Sequence, residues 1–119
     1  MAKTVLVVDD ALLARKIARK ILEKEGYQVE EAEGGQEAIS MLEAQRPDVL
    51  LLDLLMPGMD GIQVLEELAK RRVSVPTIVV SADTQESTKQ RCIQLGAKVF
   101  LNKPLTEEEL KKALQEVSQ

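Results

Sequence analysis

Four short segments of this chain are continuously apolar and rich in β-branched residues, and they constrain the fold more than any other feature. They cover residues 4–8, 49–52, 77–80 and 99–101. A strand with one face in water alternates apolar and polar residues, whereas a strand covered on both faces is apolar throughout. The four segments are therefore predicted to be buried strands of a sheet whose two faces are both covered.

Segments with helical periodicity separate these strands. A more mixed segment at residues 27–32 suits an edge strand, and helices are predicted from about residue 13 to Gly26, at residues 36–44, 62–71 and 84–95, and after Thr106. Strands that alternate with helices are typical of a parallel sheet with helices on both faces. We therefore predict an α/β fold, doubly wound around a sheet of five parallel strands.

Three of the predicted helices carry further signals. In the first, an apolar stripe that includes Leu13, Ile17 and Ile21 is predicted to face the core. The opposite face, predicted to lie in water, is basic and contains Arg15, Lys16, Arg19 and Lys20. The third and fifth helices begin with residue pairs at capping-box spacing, Asp60 with Gln63 and Thr106 with Glu109. The fourth helix has few apolar residues beyond Cys92, Ile93 and Leu95, so it is expected to be the least firmly held.

Length and charge limit the classes of protein to which the chain could belong. Its 119 residues fit one domain, residues 1–119. A net charge of −4 argues against direct binding to nucleic acid. No apolar segment approaches the roughly 20 residues that cross a bilayer, and the first residues lack the layout of a signal peptide. We therefore expect a cytoplasmic protein without membrane contact.

The chain contains no histidine and one cysteine, Cys92. The absence of imidazole excludes the histidine-dependent hydrolase triads and the usual zinc sites. A single cysteine excludes an internal disulfide framework. Any chemistry must therefore use carboxylate, ammonium and hydroxyl groups.

Such groups stand at the ends of four predicted strands: Asp9 and Asp10, then Asp53, Ser81 and Lys103. In an open parallel sheet, ligands bind beyond the carboxyl ends of the strands, where the strand order reverses. If the order is 2-1-3-4-5, the first and third strands are neighbours at that point. Three crowded carboxylates would repel one another unless a cation is bound, and Mg²⁺ suits such a set of oxygen ligands.

This constellation favours a phosphoryl-acceptor site. Asp53 would be the attacking carboxylate, a metal ion and Lys103 would neutralise the charge on the phosphoryl oxygens, and Ser81 would donate a hydrogen bond. Simpler interpretations also exist: Asp10 as a helix N-cap, Asp53 as a loop residue, Ser81 as a turn residue, and Lys103 as a solvated lysine.

Four motifs in this order resemble the receiver domain of two-component response regulators. They are VLVVDD at residues 5–10, LLDLLMPGMDG at 51–61, VVSA at 79–82 and FLNKP at 100–104. The resemblance covers essentially the whole chain. It implies a flavodoxin-like sheet of order 2-1-3-4-5 with five helices, and a phosphorylation switch instead of an enzyme with turnover.

The resemblance also implies roles for individual residues. Asp53 would accept phosphate from a histidine kinase, a phosphotransfer protein or a small phosphodonor, and Lys103 would pair with the phosphoryl group. Mg²⁺ would be held by Asp9, Asp10, Asp53 and the backbone carbonyl of Leu55. On activation Ser81 would move toward the phosphate and Phe100 would rotate inward. The face of helix 4, strand 5 and helix 5 would then bind a downstream target protein, and the domain would be a monomer or a weak phosphorylation-dependent dimer.

Three positions depart from the commonest family pattern. Ser81 replaces a frequent threonine, Phe100 stands where tyrosine is common, and Leu55 is apolar where polar side chains are often found. Leu55 and Asp83 would flank the approach of a hydrolytic water, so we expect them to set the lifetime of the phosphoryl group. The basic face of the first helix is a candidate contact for the kinase.

Three other functions fit the sequence less well than a switch that binds proteins. A Mg²⁺-dependent aspartyl-phosphate phosphatase would need a second aspartate two residues after Asp53, where Leu55 stands. A binding module independent of phosphorylation would have no use for the complete set of acidic, hydroxyl and lysine groups. Flavin binding would need a glycine-rich phosphate loop and stacking aromatic residues, and the chain has one Tyr and one Phe. Because the chain ends soon after the fifth helix, no DNA-binding helix-turn-helix is expected.

Overall fold

The computed structural model describes residues 2–118, which form a single sheet flanked by helices. The strands are β1 (Thr4–Val8), β2 (Gln28–Ala32), β3 (Val49–Asp53), β4 (Thr77–Ser81) and β5 (Val99–Asn102). The helices are α1 (Leu12–Lys24), α2 (Gly35–Ala44), α3 (Gly61–Lys70), α4 (Glu86–Gln94) and α5 (Glu107–Val117). All strand pairs are parallel, in the order β2-β1-β3-β4-β5. The predicted fold class and strand order are therefore confirmed.

The strands are in register at their carboxyl ends. Val8 of β1 lies opposite Leu52 of β3 and Ala32 of β2, and Ser81 of β4 lies opposite Asn102 of β5. The residues that follow the strands therefore all lie at the same edge of the sheet. The helix that follows β1 lies on one face of the sheet, and the helix that follows β3 lies on the other. This divergence opens the crevice between the two strands where ligands bind in such folds.

Side-chain alternation divides the core into two layers. In β1, Leu6 and Val8 point to a cluster that contains residues of α2, α3 and α4. Val5 and Val7 point to a second cluster that contains residues of α1 and α5. Successive residues of a strand face opposite sides, so covering both sides requires strands that are apolar throughout. This is why the strands could be recognised in the sequence.

The orientation of α1 differs from the prediction. Leu13 and Ile17 are 72% and 46% exposed, whereas Arg15 is 5% exposed. The buried stripe contains Arg15, Ala18, Ile21 and Leu22, so the helix is rotated relative to the prediction. The assignment of Arg15 to the wet face was wrong because its guanidinium finds hydrogen-bond acceptors inside the protein.

The predicted helix starts are confirmed in one case and half confirmed in the other. Asp60 and Gln63 form a complete capping box at α3. At α5 the hydroxyl of Thr106 accepts a hydrogen bond from the N–H of Glu109, but the Glu109 carboxylate accepts from that same hydroxyl. Helix α4 begins two residues later than predicted and ends one residue earlier, and its buried residue is Cys92. It is thus weakly anchored, as expected.

Across residues 2–118, none of the helices combines the length and the apolar character needed to cross a membrane.

Candidate functional site

Three aspartates meet at the carboxyl edge of the sheet. Asp53 ends β3 and Asp9 follows β1, and these side chains are buried, whereas Asp10 is exposed. One carboxylate oxygen from each of the three lies within 4.8 Å of the others. The adjacency of β1 and β3 therefore brings together the acidic residues that the sequence placed at strand ends.

Asp9 is fixed by the backbone around it. Its Oδ1 accepts a hydrogen bond from the N–H of Ala11 at 2.9 Å, and its own N–H donates to the carbonyl of Ala32 at 3.2 Å. Ala11 occupies the N-cap position of α1, and no side chain caps that helix. The interpretation of Asp10 as a helix N-cap is therefore wrong, and Asp10 is left with its carboxylate at the exposed rim of the site.

Lys103 reaches the two buried carboxylates. Its Nζ lies 3.1 Å from Oδ2 of Asp9 and 3.3 Å from Oδ1 of Asp53. The Lys103–Pro104 peptide bond is cis. The interpretation of Lys103 as a solvated lysine is therefore wrong, because its ammonium belongs to the acidic cluster.

Burial and charge act on both partners of this ion pair. Desolvation and the nearby charge of Asp9 raise the pKa of Asp53, and the charge of Lys103 opposes that rise. Burial alone would lower the pKa of Lys103, but its hydrogen bond to Asp9 and the charge of Asp53 outweigh burial and raise it. Lys103 therefore stays protonated, and the crowding of the carboxylates is expressed as the raised pKa of Asp53.

The hydroxyl of Ser81 lies at the end of β4 and is fully buried. Its Oγ accepts a hydrogen bond from the N–H of Asp83 at 3.0 Å. The Asp83 carboxylate accepts in turn from the N–H of Gln85 at 2.8 Å and from the hydroxyl of Thr88 at 2.9 Å. Asp83 thereby ties the segment after β4 to the first turn of α4.

Leu55 and Phe100 are the two remaining predicted residues. Leu55, two residues after Asp53, is 59% exposed. Phe100 lies in β5 opposite Val79 and packs, partly buried, against the layer formed with α2, α3 and α4. An exposed apolar side chain thus stands near the acidic cluster, and an aromatic ring lies one strand beyond Ser81.

Two residues of structural importance to the site were not predicted from the sequence to belong to it. A Cβ atom on Gly61 would lie 2.5 Å from the carbonyl oxygen of Asp53 and 2.8 Å from the Cα of Leu54. Glycine is therefore required where α3 begins against the end of β3. The other residue is Arg15, whose Nη1 donates to the carbonyl oxygen of Asp9 at 2.7 Å. The Asp-Gly pair in LLDLLMPGMDG could have indicated Gly61. The helical periodicity of α1, in contrast, predicted that Arg15 faces water.

The acidic cluster fits a hard divalent cation. Its ligand atoms are carboxylate oxygens, and among residues 2–118 the buried Oδ1 of Asp53 accepts no hydrogen bond and has only the ion pair with Lys103 at 3.3 Å. Mg²⁺ binds a few carboxylates and keeps water and phosphate oxygens in its remaining positions. A carboxylate nucleophile beside a cation site and an ammonium group can accept a phosphoryl group.

An apolar cavity of about 210 Å³ adjoins the same cluster. Asp53 and Lys103 contribute to its wall together with side chains of α1, including Ala14 and Ile17, and with Leu105 after β5. The exposed apolar side of α1 is therefore continuous with the acidic site.

The sequence and the fold were compared with known proteins. Residues 5–115 match the family described as the response regulator receiver domain. The chemotaxis protein CheY of Thermotoga maritima is 38% identical over 119 residues, which cover 99% of each chain. The structure of the CheX–CheY–BeF3–Mg²⁺ complex from Borrelia burgdorferi contains a chain 30% identical to this one, with a TM-score of 0.93, covering 98% of this chain and 90% of that chain.

Some relatives are much longer than this chain. The protein-glutamate methylesterase/protein-glutamine glutaminase of Treponema pallidum is 41% identical over 108 residues, which make up 87% of this chain but 27% of that protein. The same unit thus occurs nearly alone in one relative and as a part of another.

Proposed function

The chain belongs to the response regulator receiver domain family, and from this premise we propose that it is a switch operated by phosphorylation of Asp53. Members of the family are signalling switches that interact with histidine kinases or phosphotransfer proteins and with downstream targets. The observation that carries the proposal is the placement of Asp53, a buried carboxylate whose Oδ1 forms an ion pair with Lys103 at 3.3 Å beside the carboxylates of Asp9 and Asp10.

The proposed transfer uses Asp53 as the nucleophile. One of its carboxylate oxygens forms a bond to phosphorus while the bond from phosphorus to the donor breaks in line. With a phosphohistidine donor, the electron pair of the P–N bond leaves with the imidazole nitrogen. Lys103 is placed to neutralise charge on the phosphoryl oxygens. Mg²⁺ bound by Asp9, Asp10, Asp53 and the carbonyl of Leu55 would supply the remaining charge neutralisation.

We assign the conformational response to Ser81 and Phe100. The Ser81 hydroxyl is buried and accepts from the N–H of Asp83, so its proton is available to a phosphoryl oxygen. A shift of Ser81 toward Asp53 would pull on Asp83 and hence on Thr88 in α4. Space vacated by Ser81 would admit the ring of Phe100. The proposed output surface is therefore α4, β5 and α5.

The lifetime of the phosphoryl group is assigned to Leu55 and Asp83. The exposed Leu55 side chain would shield the phosphoryl group from water. The Asp83 carboxylate already accepts hydrogen bonds from Gln85 and Thr88, which limits its freedom to orient a water. Leu55 is therefore the residue that we expect to prolong the phosphorylated state.

The contact with the kinase is revised by the orientation of α1. Arg15 and Arg19 donate hydrogen bonds to Glu31, so half of the predicted basic face is engaged within the protein. The exposed apolar side chains of α1 are instead Ile17, which lines the cavity beside Asp53, and Leu13, one turn earlier in the helix. We propose that a phosphodonor protein docks on this apolar part of α1, with Lys16 and Lys20 at its edge.

Nuclear magnetic resonance tests the proposed function directly. Addition of Mg²⁺ with beryllofluoride, which stands in for the phosphoryl group, should shift amide resonances near Asp53, Ser81 and Phe100. The complex from Borrelia burgdorferi contains both components. An amide spectrum that stays unchanged in the wild-type protein would refute the switch.

A substitution at Asp10 tests the metal site. Asp10→Ala should weaken Mg²⁺ binding by at least about tenfold, measured by amide titration, without loss of thermal stability. Stability should be preserved because Asp10 is exposed and its removal relieves repulsion from the other carboxylates. A fall of about 1 kcal/mol or more in the free energy of unfolding would instead indicate a capping role.

A further inference from the structure

We infer that Arg15 is a positioning residue for the metal site, because it fixes the peptide group between Asp9 and Asp10. The inference rests on the proposed Mg²⁺-dependent function. Arg15 is 5% exposed although it lies on a surface helix. A buried arginine requires hydrogen-bond partners inside the protein, and the identity of these partners indicates what the residue does.

One partner is the backbone of the acidic pair. Nη1 of Arg15 donates to the carbonyl oxygen of Asp9 at 2.7 Å. That carbonyl and the N–H of Asp10 belong to one planar peptide group. The peptide group before Asp9 is held separately, because the N–H of Asp9 donates a hydrogen bond to the carbonyl of Ala32. The direction in which Asp10 leaves the strand is therefore set by the contact from Arg15.

A second partner holds the guanidinium in place. Nε of Arg15 donates to Oε1 of Glu31 at 3.0 Å, and Oε2 of Glu31 accepts from Nε of Arg19 at 2.6 Å. The Glu33 carboxylate lies 3.7 Å from Nη2 of Arg15. A hydrogen bond from Arg19 lowers the pKa of Glu31, against the effect of burial, and the bond from Arg15 adds to the lowering. Glu31 thus remains charged and orients Arg15 toward Asp9.

The arrangement separates the roles of two neighbouring arginines. Both Arg15 and Arg19 contact Glu31, but Arg15 reaches the carbonyl of Asp9 while Arg19 donates to the carbonyl of Val29. Arg19 is therefore a matched control that shares the ion-pair network without touching the acidic pair. A lysine at position 15 would keep the charge but lose the planar fork that serves two acceptors at once.

Mg²⁺ affinity measured by amide titration is the test. Groups that orient metal ligands typically change affinity by 10–100-fold when removed, so Arg15→Met should weaken Mg²⁺ binding by about tenfold or more. Arg19→Met should change it less than about threefold, and Arg15→Lys should restore part of the loss. In the metal-free protein, Arg15→Met should also shift the amide resonance of Asp10. A folded Arg15→Met protein with wild-type affinity would overturn the inference.

Two further outcomes are separable. If Arg15→Met does not fold, Glu31→Ala decides the question, because it removes the acceptor of Nε of Arg15 and leaves the guanidinium in place. A several-fold loss of Mg²⁺ affinity in Glu31→Ala supports the positioning role, and an unchanged affinity overturns it. If the wild-type protein itself does not bind Mg²⁺, the proposed function fails, whereas tight binding by both wild type and Arg15→Met refutes the role of Arg15 alone.

Discussion

Replacement of Asp53 by asparagine should abolish the response to Mg²⁺ and beryllofluoride and at the same time stabilise the metal-free protein. The response is lost because the amide of asparagine cannot act as the carboxylate acceptor. Stability should rise because Asp53 is a buried carboxylate repelled by the charge of Asp9, and its ion pair with Lys103 offsets burial and repulsion only in part. Relieving such a group is worth about 1–2 kcal/mol in the free energy of unfolding at pH 7. Lys103 keeps its ion pair with Asp9.

The gain in stability should depend on pH in a defined direction. Burial and the charge of Asp9 raise the pKa of Asp53 in the folded state above its value in the unfolded chain. Above the folded pKa the wild-type protein carries the full cost of the buried charge. As the pH falls through the folded pKa toward the ordinary aspartate value of about 3.9, the cost disappears. The difference between Asp53→Asn and wild type should therefore be present at neutral pH and vanish in acid.

Chemical denaturation across this pH range measures the effect. Glu116→Gln, which removes an exposed carboxylate of α5, controls for the change in net charge and should leave stability nearly unaltered. A destabilised Asp53→Asn protein at pH 7 would show that the ion pair with Lys103 outweighs the crowding. Amide shifts that persist in Asp53→Asn would show that the acceptor lies elsewhere.

Replacement of Gly61 by alanine should damage both the fold and the site. The added Cβ would lie 2.5 Å from the carbonyl oxygen of Asp53 and 2.8 Å from the Cα of Leu54, so the conflict is with backbone. The start of α3 is also fixed to β3 by the hydrogen bond from the N–H of Gly61 to the carbonyl of Leu54. Overpacking of this kind typically costs 1–3 kcal/mol, and contact with backbone places this site at about 3 kcal/mol.

The damage should extend to function, because relief of the clash must move the end of β3. Gly61→Ala should therefore weaken Mg²⁺ binding as well as lower the free energy of unfolding. Gly34→Ala is the matched control, since a Cβ at Gly34 meets nothing within 4 Å. It should cost less than about 1 kcal/mol. Equal stability of the two alanine variants would mean that the contact at Gly61 relaxes without strain.

Most of the fold could be predicted because its strands are apolar on both faces. The strand predicted at residues 4–8 has the bounds that the structure gives, and those predicted at 49–52, 77–80 and 99–101 each extend one residue further at the carboxyl end. Each added residue, Asp53, Ser81 and Asn102, is polar. The apolar pattern therefore ends one residue before the strand does, because the last paired residue of each of these strands is polar.

Site residues could be predicted where their position at the end of a strand places them in the site. They could not be predicted where contacts between distant side chains place them there. Strand ends placed Asp9, Asp53 and Lys103 together. The orientation of α1 was missed because apolar periodicity treats arginine as a surface residue, whereas the structure buries Arg15 against acceptors supplied by distant residues. Neither Glu31 nor the carbonyl of Asp9 can be recognised as a partner of Arg15 from local sequence.

The weak anchoring of α4 has a consequence for how such proteins diversify. Cys92 is the buried residue of this helix, so most of its side chains can be exchanged without disturbing the core. On the output surface that we propose, substitutions on α4 could therefore change the choice of partner without altering the proposed phosphoryl-acceptor site at the ends of β1, β3 and β5.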